Sequence, residues 1–119
     1  HGLADETAGV VARIGLGGGW AGAPQWQAKW RGFTVPNLMQ CFTTLGSRDD
    51  ISDRIGAITV PALVVHGALD HAIDLTRAQA MPDALPRAQM VVVPGGGHAS
   101  NLTHPEPVNA ALKVFLDSL

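Results

Sequence analysis

Two apolar segments, each closed by a glycine, constrain the fold of this chain more than any other feature of its 119 residues. The first reads VPALVVHG (residues 60–67) and the second reads AQMVVVPG (residues 88–95). Continuous apolar runs of this length, unlike alternating ones, are typical of parallel strands whose two faces are both buried. We therefore predict two strands of a parallel sheet, which must be joined by a crossover segment.

A helical pattern follows each predicted strand. The first helix is expected at about residues 74–81, and Pro82 should end it because proline donates no backbone hydrogen bond. The second is THPEPVNAALKVFLDSL, in which Thr103 and Glu106 match a capping box and Pro105 suits the first turn. The order strand, helix, strand, helix predicts one edge of a parallel α/β sheet with right-handed crossovers.

The first part of the chain, residues 1–46, contains all three tryptophans and no strand-like run. PQWQAKWRG predicts a short helix that begins near Pro24 and places Trp26 and Trp30 on one face, four residues apart.

Two further helices are expected before the first strand. PNLMQCFTTLG predicts a helix from Pro36 to Leu45 that ends at a glycine. SRDDISDRIGAI predicts another, capped by Ser47 or Asp49.

The predicted sheet is incomplete, because two strands that are apolar on both faces need neighbours that the chain does not supply. Either the helical first part covers them, or the missing strands belong to another polypeptide. We favour the second explanation.

The composition excludes several classes of protein. A hydrophobic content of 46% with 15% charged residues predicts a folded core rather than a disordered tail. The net charge of −2 gives no basic surplus for nucleic acid, and no apolar run is long enough for a membrane span. The single cysteine, Cys41, cannot form an internal disulfide, and no secretion signal is visible, so we expect a cytoplasmic protein.

Two polar residues lie just beyond the carboxyl ends of the predicted strands, where ligands collect in parallel sheets. Asp70 follows the first strand, and His98 follows the second after a run of three glycines. Because adjacent strands are about 5 Å apart, these loops can bring the carboxylate against the imidazole. Such a carboxylate fixes the tautomer of the ring and stabilises the imidazolium that forms when the ring accepts a proton.

Two other interpretations of these loops are weaker. His66, Asp70 and His71 could suggest metal ligands, but no second tight pair of histidines or cysteines completes a metal spacing. The glycines at 95–97 could cradle a phosphate, but no Lys-Ser/Thr pair follows them. We expect neither a metal nor an organic cofactor.

The segment ITVPALVVHGALDHAI, with MVVVPGGGHASNLTHPEPVNAALKVFL after it, resembles the C-terminal part of an alpha/beta-hydrolase-fold enzyme. The resemblance covers roughly residues 49–119 and includes a Gly-x-x-Asp and a Pro-Gly-x-Gly-His motif. It implies an α/β fold in which residues 47–119 form the C-terminal portion of the hydrolase sheet and residues 1–46 form a helical lid (cap). It also implies that Asp70 is the acid of a catalytic triad and that His98 is its general base.

The same resemblance implies a substrate site under the lid. Trp26 and Trp30 would give it an apolar wall, and His71, directly after Asp70, would line the cleft. A small hydrophobic substrate with an ester, lactone or related bond is therefore expected.

The nucleophile elbow of that family, Gly-x-Ser-x-Gly after a strand, is absent from the chain. We therefore expect a companion chain, or an N-terminal half of the same hydrolase, to carry the nucleophile. An aspartate there would instead indicate a dehalogenase or an epoxide hydrolase, and the fold also hosts carbon–carbon hydrolases. A non-catalytic ligand-binding protein and a truncated inactive product remain the alternatives.

Overall fold

A computed structural model describes residues 5–119 of the chain. The elements are, in chain order, α1 (Asp5–Leu16), α2 (Ala23–Arg31), α3 (Val35–Gly46), β1 (Ala62–Gly67), α4 (Leu75–Ala84), β2 (Ala88–Val93), α5 (Ser100–Thr103) and α6 (Pro105–Asp117). A single 3-10 turn, Ile55–Ala57, precedes β1. None of the helices within residues 5–119 has the length and apolar character that crossing a bilayer requires.

The two strands are parallel and in register, from Ala62 opposite Ala88 to Gly67 opposite Val93. They therefore end at the same level, and the loops that follow them leave from one edge of the sheet. Both α4 and α6 pack against both strands. The predicted order of strand, helix, strand and helix, and the parallel pairing, are confirmed.

The core of the described residues is small. Val93 is the largest side chain that is fully buried there. Ala78 of α4 and Val108 of α6 are also buried. Within residues 5–119 the sheet consists of two strands alone, so the outer edges of both β1 and β2 are unpaired. The sheet therefore has two open edges as well as a thin core.

The helices before the sheet agree in part with the prediction. The expected helices at Trp26 and at Phe42 are present as α2 and α3, and Thr34 caps α3 by accepting a hydrogen bond from the backbone N–H of Asn37. An additional helix, α1, packs against α2 and α5 and buries Ala8, Ala12 and Leu16. Residues 1–4 of the expected lid lie outside the described residues.

The helix expected in SRDDISDRIGAI is wrong, since the structure has only the short 3-10 turn there. The Asp50 carboxylate accepts a hydrogen bond of 2.9 Å from the backbone N–H of Ser52. Aspartate side chains that bond to nearby backbone in this way offer an alternative to the helical ladder. The segment consequently turns before it reaches β1.

Pro82 does not end α4, which continues to Ala84. A proline inside a helix removes one backbone donor, to the carbonyl four residues earlier, and the remaining bonds can carry the helix for a further turn. The beginning of α4 is capped by Asp74, whose side chain accepts a 2.8 Å hydrogen bond from the N–H of Arg77.

The capping box at the start of α6 is also wrong, although Pro105 does lie in the first turn. The N-cap residue is His104, without a side-chain cap. The hydroxyl of Thr103 is engaged elsewhere, 3.4 Å from the Ala99 carbonyl oxygen and 2.9 Å from His104 Nδ1. A short separate helix, α5, ends at Thr103 and prevents the side chain from reaching the α6 amides.

Candidate active site

The loops after β1 and β2 are joined by backbone hydrogen bonds. The N–H of Ala68 donates to the carbonyl of Val93 over 3.0 Å, and the N–H of Leu69 donates to the carbonyl of Gly96 over 2.8 Å. A third bond of 2.8 Å runs from the N–H of Ala99 to the carbonyl of Gly15, at the end of α1. The glycine-rich loop that carries His98 is therefore hydrogen-bonded both to the loop after β1 and to the end of α1.

Asp70 is placed by the loop that leaves β1. Its Oδ1 accepts hydrogen bonds from the backbone N–H groups of Ala72, at 2.7 Å, and Ile73, at 3.0 Å. The side chain is only 3% exposed. Two fixed amides and burial therefore orient the carboxylate, and its second oxygen, Oδ2, is left for another donor.

That donor is His98, whose Nδ1 lies 2.9 Å from Asp70 Oδ2 although the two residues are 28 positions apart. The predicted meeting of this carboxylate and this imidazole is therefore present. Because a carboxylate oxygen accepts, Nδ1 carries the hydrogen and Nε2 has the free lone pair. Within residues 5–119 Nε2 makes no hydrogen bond, and the side chain is 51% exposed.

Opposing effects act on the pKa of Asp70. Burial would raise it, but the hydrogen bonds from the N–H of Ile73, from His98 and from the N–H of Ala72 together outweigh burial and lower the pKa below its usual value. The carboxylate is therefore ionised at neutral pH. An ionised partner on Nδ1 is what an imidazole needs to accept a proton at Nε2.

A cleft of about 780 Å³ runs beside this pair, between β1 and α4. Asp70, His98 and His66 lie on its wall, and its remaining lining is mainly apolar, from Ile51, Ile55, Val64, Ile73, Ala78 and Met81. Besides β1 and α4, the segment before β1 that contains Ile51 and Ile55 forms part of its wall.

The three residues expected at the substrate are placed away from this cleft. Trp26 and Trp30 pack together on α2, with ring centroids 6.0 Å apart, and Lys29 Nζ lies 4.6 Å from the Trp26 ring centre. His71 lines a separate cavity of about 330 Å³ together with Trp20. Their role in substrate binding stays a prediction.

His66 is the residue that sequence reasoning missed. From the sequence we considered it as a metal ligand, whereas in the structure its Nε2 lies 3.0 Å from the carbonyl oxygen of Ile73 and 3.7 Å from Asp70 Oδ2. The sequence signal for this contact was the position of His66 at the end of the predicted first strand, four residues before Asp70.

Of the four serines within residues 5–119, the exposed Ser52 lines the same cleft as Asp70 and His98, but it lies in a turn before β1 and not at a strand-to-helix elbow. The hydroxyls of Ser47, Ser100 and Ser118 donate to the nearby carbonyls of Thr44, Gly97 and Phe115, and Ser100 is buried. Within the described part of the chain, no group of three His, Cys, Asp or Glu side chains is arranged to hold a metal ion.

Comparison with known proteins supports the fold. A family model of alpha/beta hydrolases, described as TAP-like protein, matches residues 26–119. A hydrolase from Pseudomonas aeruginosa superposes with a TM-score of 0.80 at 20% identity, over 93% of this chain and 43% of its own. A bromoperoxidase from Bacillus anthracis gives a TM-score of 0.75 at 22% identity, over 95% of this chain and 42% of its own.

The chain is also similar in sequence to an enzyme whose name states its reaction. A pimeloyl-acyl-carrier-protein methyl ester esterase of Xanthomonas axonopodis is 32% identical over 89 residues, which are 75% of this chain and 35% of the esterase. The chain thus spans about a third of the length of the curated relatives it matches.

Proposed function

The chain belongs to the TAP-like family of alpha/beta hydrolases, and on that premise we propose that Asp70 and His98 are the acid and the general base of a catalytic triad. The observation that carries this proposal is the 2.9 Å hydrogen bond from His98 Nδ1 to a carboxylate that is itself buried and held by two backbone amides. Pairs built in this way set the tautomer of a histidine for proton transfer.

The reaction we propose is hydrolysis of an ester, a lactone or a related bond. His98 Nε2 removes the proton of a nucleophilic hydroxyl as the hydroxyl attacks the carbonyl carbon, and the proton then passes to the leaving group. Water hydrolyses the acyl-enzyme by the same route. Throughout, the ionised Asp70 stabilises the imidazolium form of His98.

These 119 residues contain no Gly-x-Ser-x-Gly, the motif that carries the nucleophile in this family. We propose that an N-terminal half of the same hydrolase, or a companion chain, supplies it. Two features support this. The second edge of β1 has no strand partner within residues 5–119, and α3 leaves Val35, Met39, Phe42 and Leu45 exposed, an apolar stripe that a stable protein covers.

For the substrate we propose a small hydrophobic ester or lactone. The apolar lining of the cleft suits an acyl group, and the relative named as a methyl ester esterase points to the same bond. Residues 1–46 would then form part of a lid over the sheet of residues 47–119. Trp26, Trp30 and His71 do not line the cleft beside Asp70 and His98, so we propose that they contact a part of the substrate that extends beyond it.

The proposal is tested by turnover of p-nitrophenyl acetate by the full-length protein, or by the two-chain assembly, with His98→Ala. We expect kcat to fall by about 10⁴-fold or more, as when a triad histidine is removed. Asn101→Ala, an exposed neighbour in α5, is the matched control and should keep wild-type turnover. Turnover near wild type in His98→Ala would rule out the general-base role.

A further inference from the structure

We propose that His66 is a positioning residue for the acid loop, residues 68–74, and that it holds the carbonyl of Ile73; this inference rests on the proposed roles of Asp70 and His98. His66 is the next-to-last residue of β1, opposite Val92 in the sheet. Its side chain is 12% exposed, and its Nε2 lies 3.0 Å from the Ile73 carbonyl oxygen.

Ile73 connects His66 to the catalytic pair. Its carbonyl accepts from His66, while its own N–H donates to Asp70 Oδ1 over 3.0 Å. One peptide residue is thus fixed from both ends, by the rigid strand on one side and by the acid on the other. Loss of the His66 contact should loosen the amide that orients Asp70.

The tautomer of His66 follows from the same contact. A carbonyl oxygen has no hydrogen to give, so Nε2 of His66 must carry one. Nε2 of His66 also lies 3.7 Å from Asp70 Oδ2, the oxygen that accepts from His98. This distance is too long for a hydrogen bond, so His66 acts on Asp70 through Ile73 and not directly.

A positioning histidine at residue 66 differs from one that only fills space. A space-filling residue would be replaced equally well by any polar side chain of similar volume. A positioning residue needs a donor at the place that Nε2 occupies. Glutamine supplies an amide N–H near that place, whereas the amide of asparagine is one carbon shorter and lies nearer the position of Nδ1.

The experiment compares His66→Gln with His66→Asn in the full-length protein or two-chain assembly, with p-nitrophenyl acetate as the probe. We expect His66→Gln to keep kcat within about twofold of wild type and His66→Asn to lower kcat about tenfold, the scale of one lost buried hydrogen bond. The comparison uses kcat and not KM, because His66 also lies on the wall of the cleft and its replacement can alter KM directly. Equal kcat values for the two variants would overturn the proposal.

Two further measurements keep the result unambiguous. If His66→Asn fails to fold, a ¹⁵N–¹H correlation spectrum of the histidine rings in the wild-type protein tests the contact instead, because it identifies the tautomer of His66. The Nε2–H tautomer of His66 supports the contact, and the Nδ1–H tautomer overturns it. His98→Ala is measured in parallel. If this variant turns over substrate at the wild-type rate, the proposed function is refuted, which is a different result from a failure of the role proposed for His66.

Discussion

Gly67 at the end of β1 lies so close to the carbonyl oxygen of Gly96 that a β-carbon on Gly67 would overlap it. The carbonyl oxygen of Gly97 approaches the same point. This close approach lets the N–H of Leu69 reach the Gly96 carbonyl over 2.8 Å. The distance between the two loops therefore depends on the absence of a side chain at Gly67. The contact between Asp70 and His98 depends on it as well.

Gly67→Ala is expected to lower activity and stability together. The added methyl group must push the glycine loop away from β1, and overpacking of this kind costs about 1–3 kcal/mol. We expect a lower midpoint in urea unfolding and a fall in kcat of at least about tenfold, since misplaced catalytic groups lose rate steeply. Both are measured on the full-length protein.

Gly46→Ala, at the last residue of α3, is the matched control. Nothing lies within 4 Å of a β-carbon there, and alanine favours helix. Its activity should equal that of the wild type. Gly67→Ala with the same kcat and the same urea midpoint as Gly46→Ala would show that the loops are not spaced by Gly67.

The lowered pKa of Asp70 predicts an acid-dependent loss of stability. Because the folded-state pKa lies below the ordinary value of 3.8, the unfolded chain takes up the proton first as the pH falls. The stabilisation is fully present above the ordinary value and disappears as the pH falls through the folded-state pKa. Asp70→Asn removes this contribution, so its free energy of unfolding should fall less steeply below about pH 4.

Urea unfolding of the full-length protein at several pH values measures this difference. Asp117→Asn is the control, because its carboxylate is exposed and paired only with Lys113, 2.7 Å away on the same helix. An exposed pair of this type contributes little, so this variant should follow the wild-type pH dependence. Parallel curves for Asp70→Asn and wild type would contradict the argument.

The contact between Asp70 and His98 could be predicted because it follows from a general property of parallel sheets. Parallel strands of equal length end together, and polar residues a few positions beyond their ends meet at that edge. The strands themselves were visible because β-branched runs closed by Gly67 and Gly95 have few other interpretations. Gly95 has a φ of +73°, a left-handed conformation that glycine adopts without strain.

The contact of His66 with Ile73 could not be predicted in the same way. It depends on how the loop bends back toward β1 after Asp70, which side-chain periodicity does not encode. Helix α1 was missed for a different reason, since it buries the small residues Ala8 and Ala12 and leaves Val10 and Ile14 exposed. The acidic first turn, with Asp5 and Glu6, was the one signal of its start.

The proposed lid role of the tryptophans gives a prediction about binding rather than chemistry. If Trp26 contributes an apolar wall, Trp26→Ala should raise KM for p-nitrophenyl butyrate about tenfold and leave kcat unchanged, because lost apolar contact weakens ground and transition states equally. The measurement is the ratio of KM for the butyrate and acetate esters. A ratio that equals the wild-type value would assign Trp26 to packing within the helical segment.

Labelling with a serine-reactive fluorophosphonate decides whether His98 and Asp70 activate a nucleophile located beyond these 119 residues. The full-length protein or assembly is labelled, digested and mapped by mass spectrometry, with wild type and His98→Ala compared for labelling rate. We expect a label on a serine outside this sequence and a labelling rate at least about 10³-fold slower in His98→Ala. A label on any serine within the sequence, or equal rates in the two proteins, would contradict the proposal.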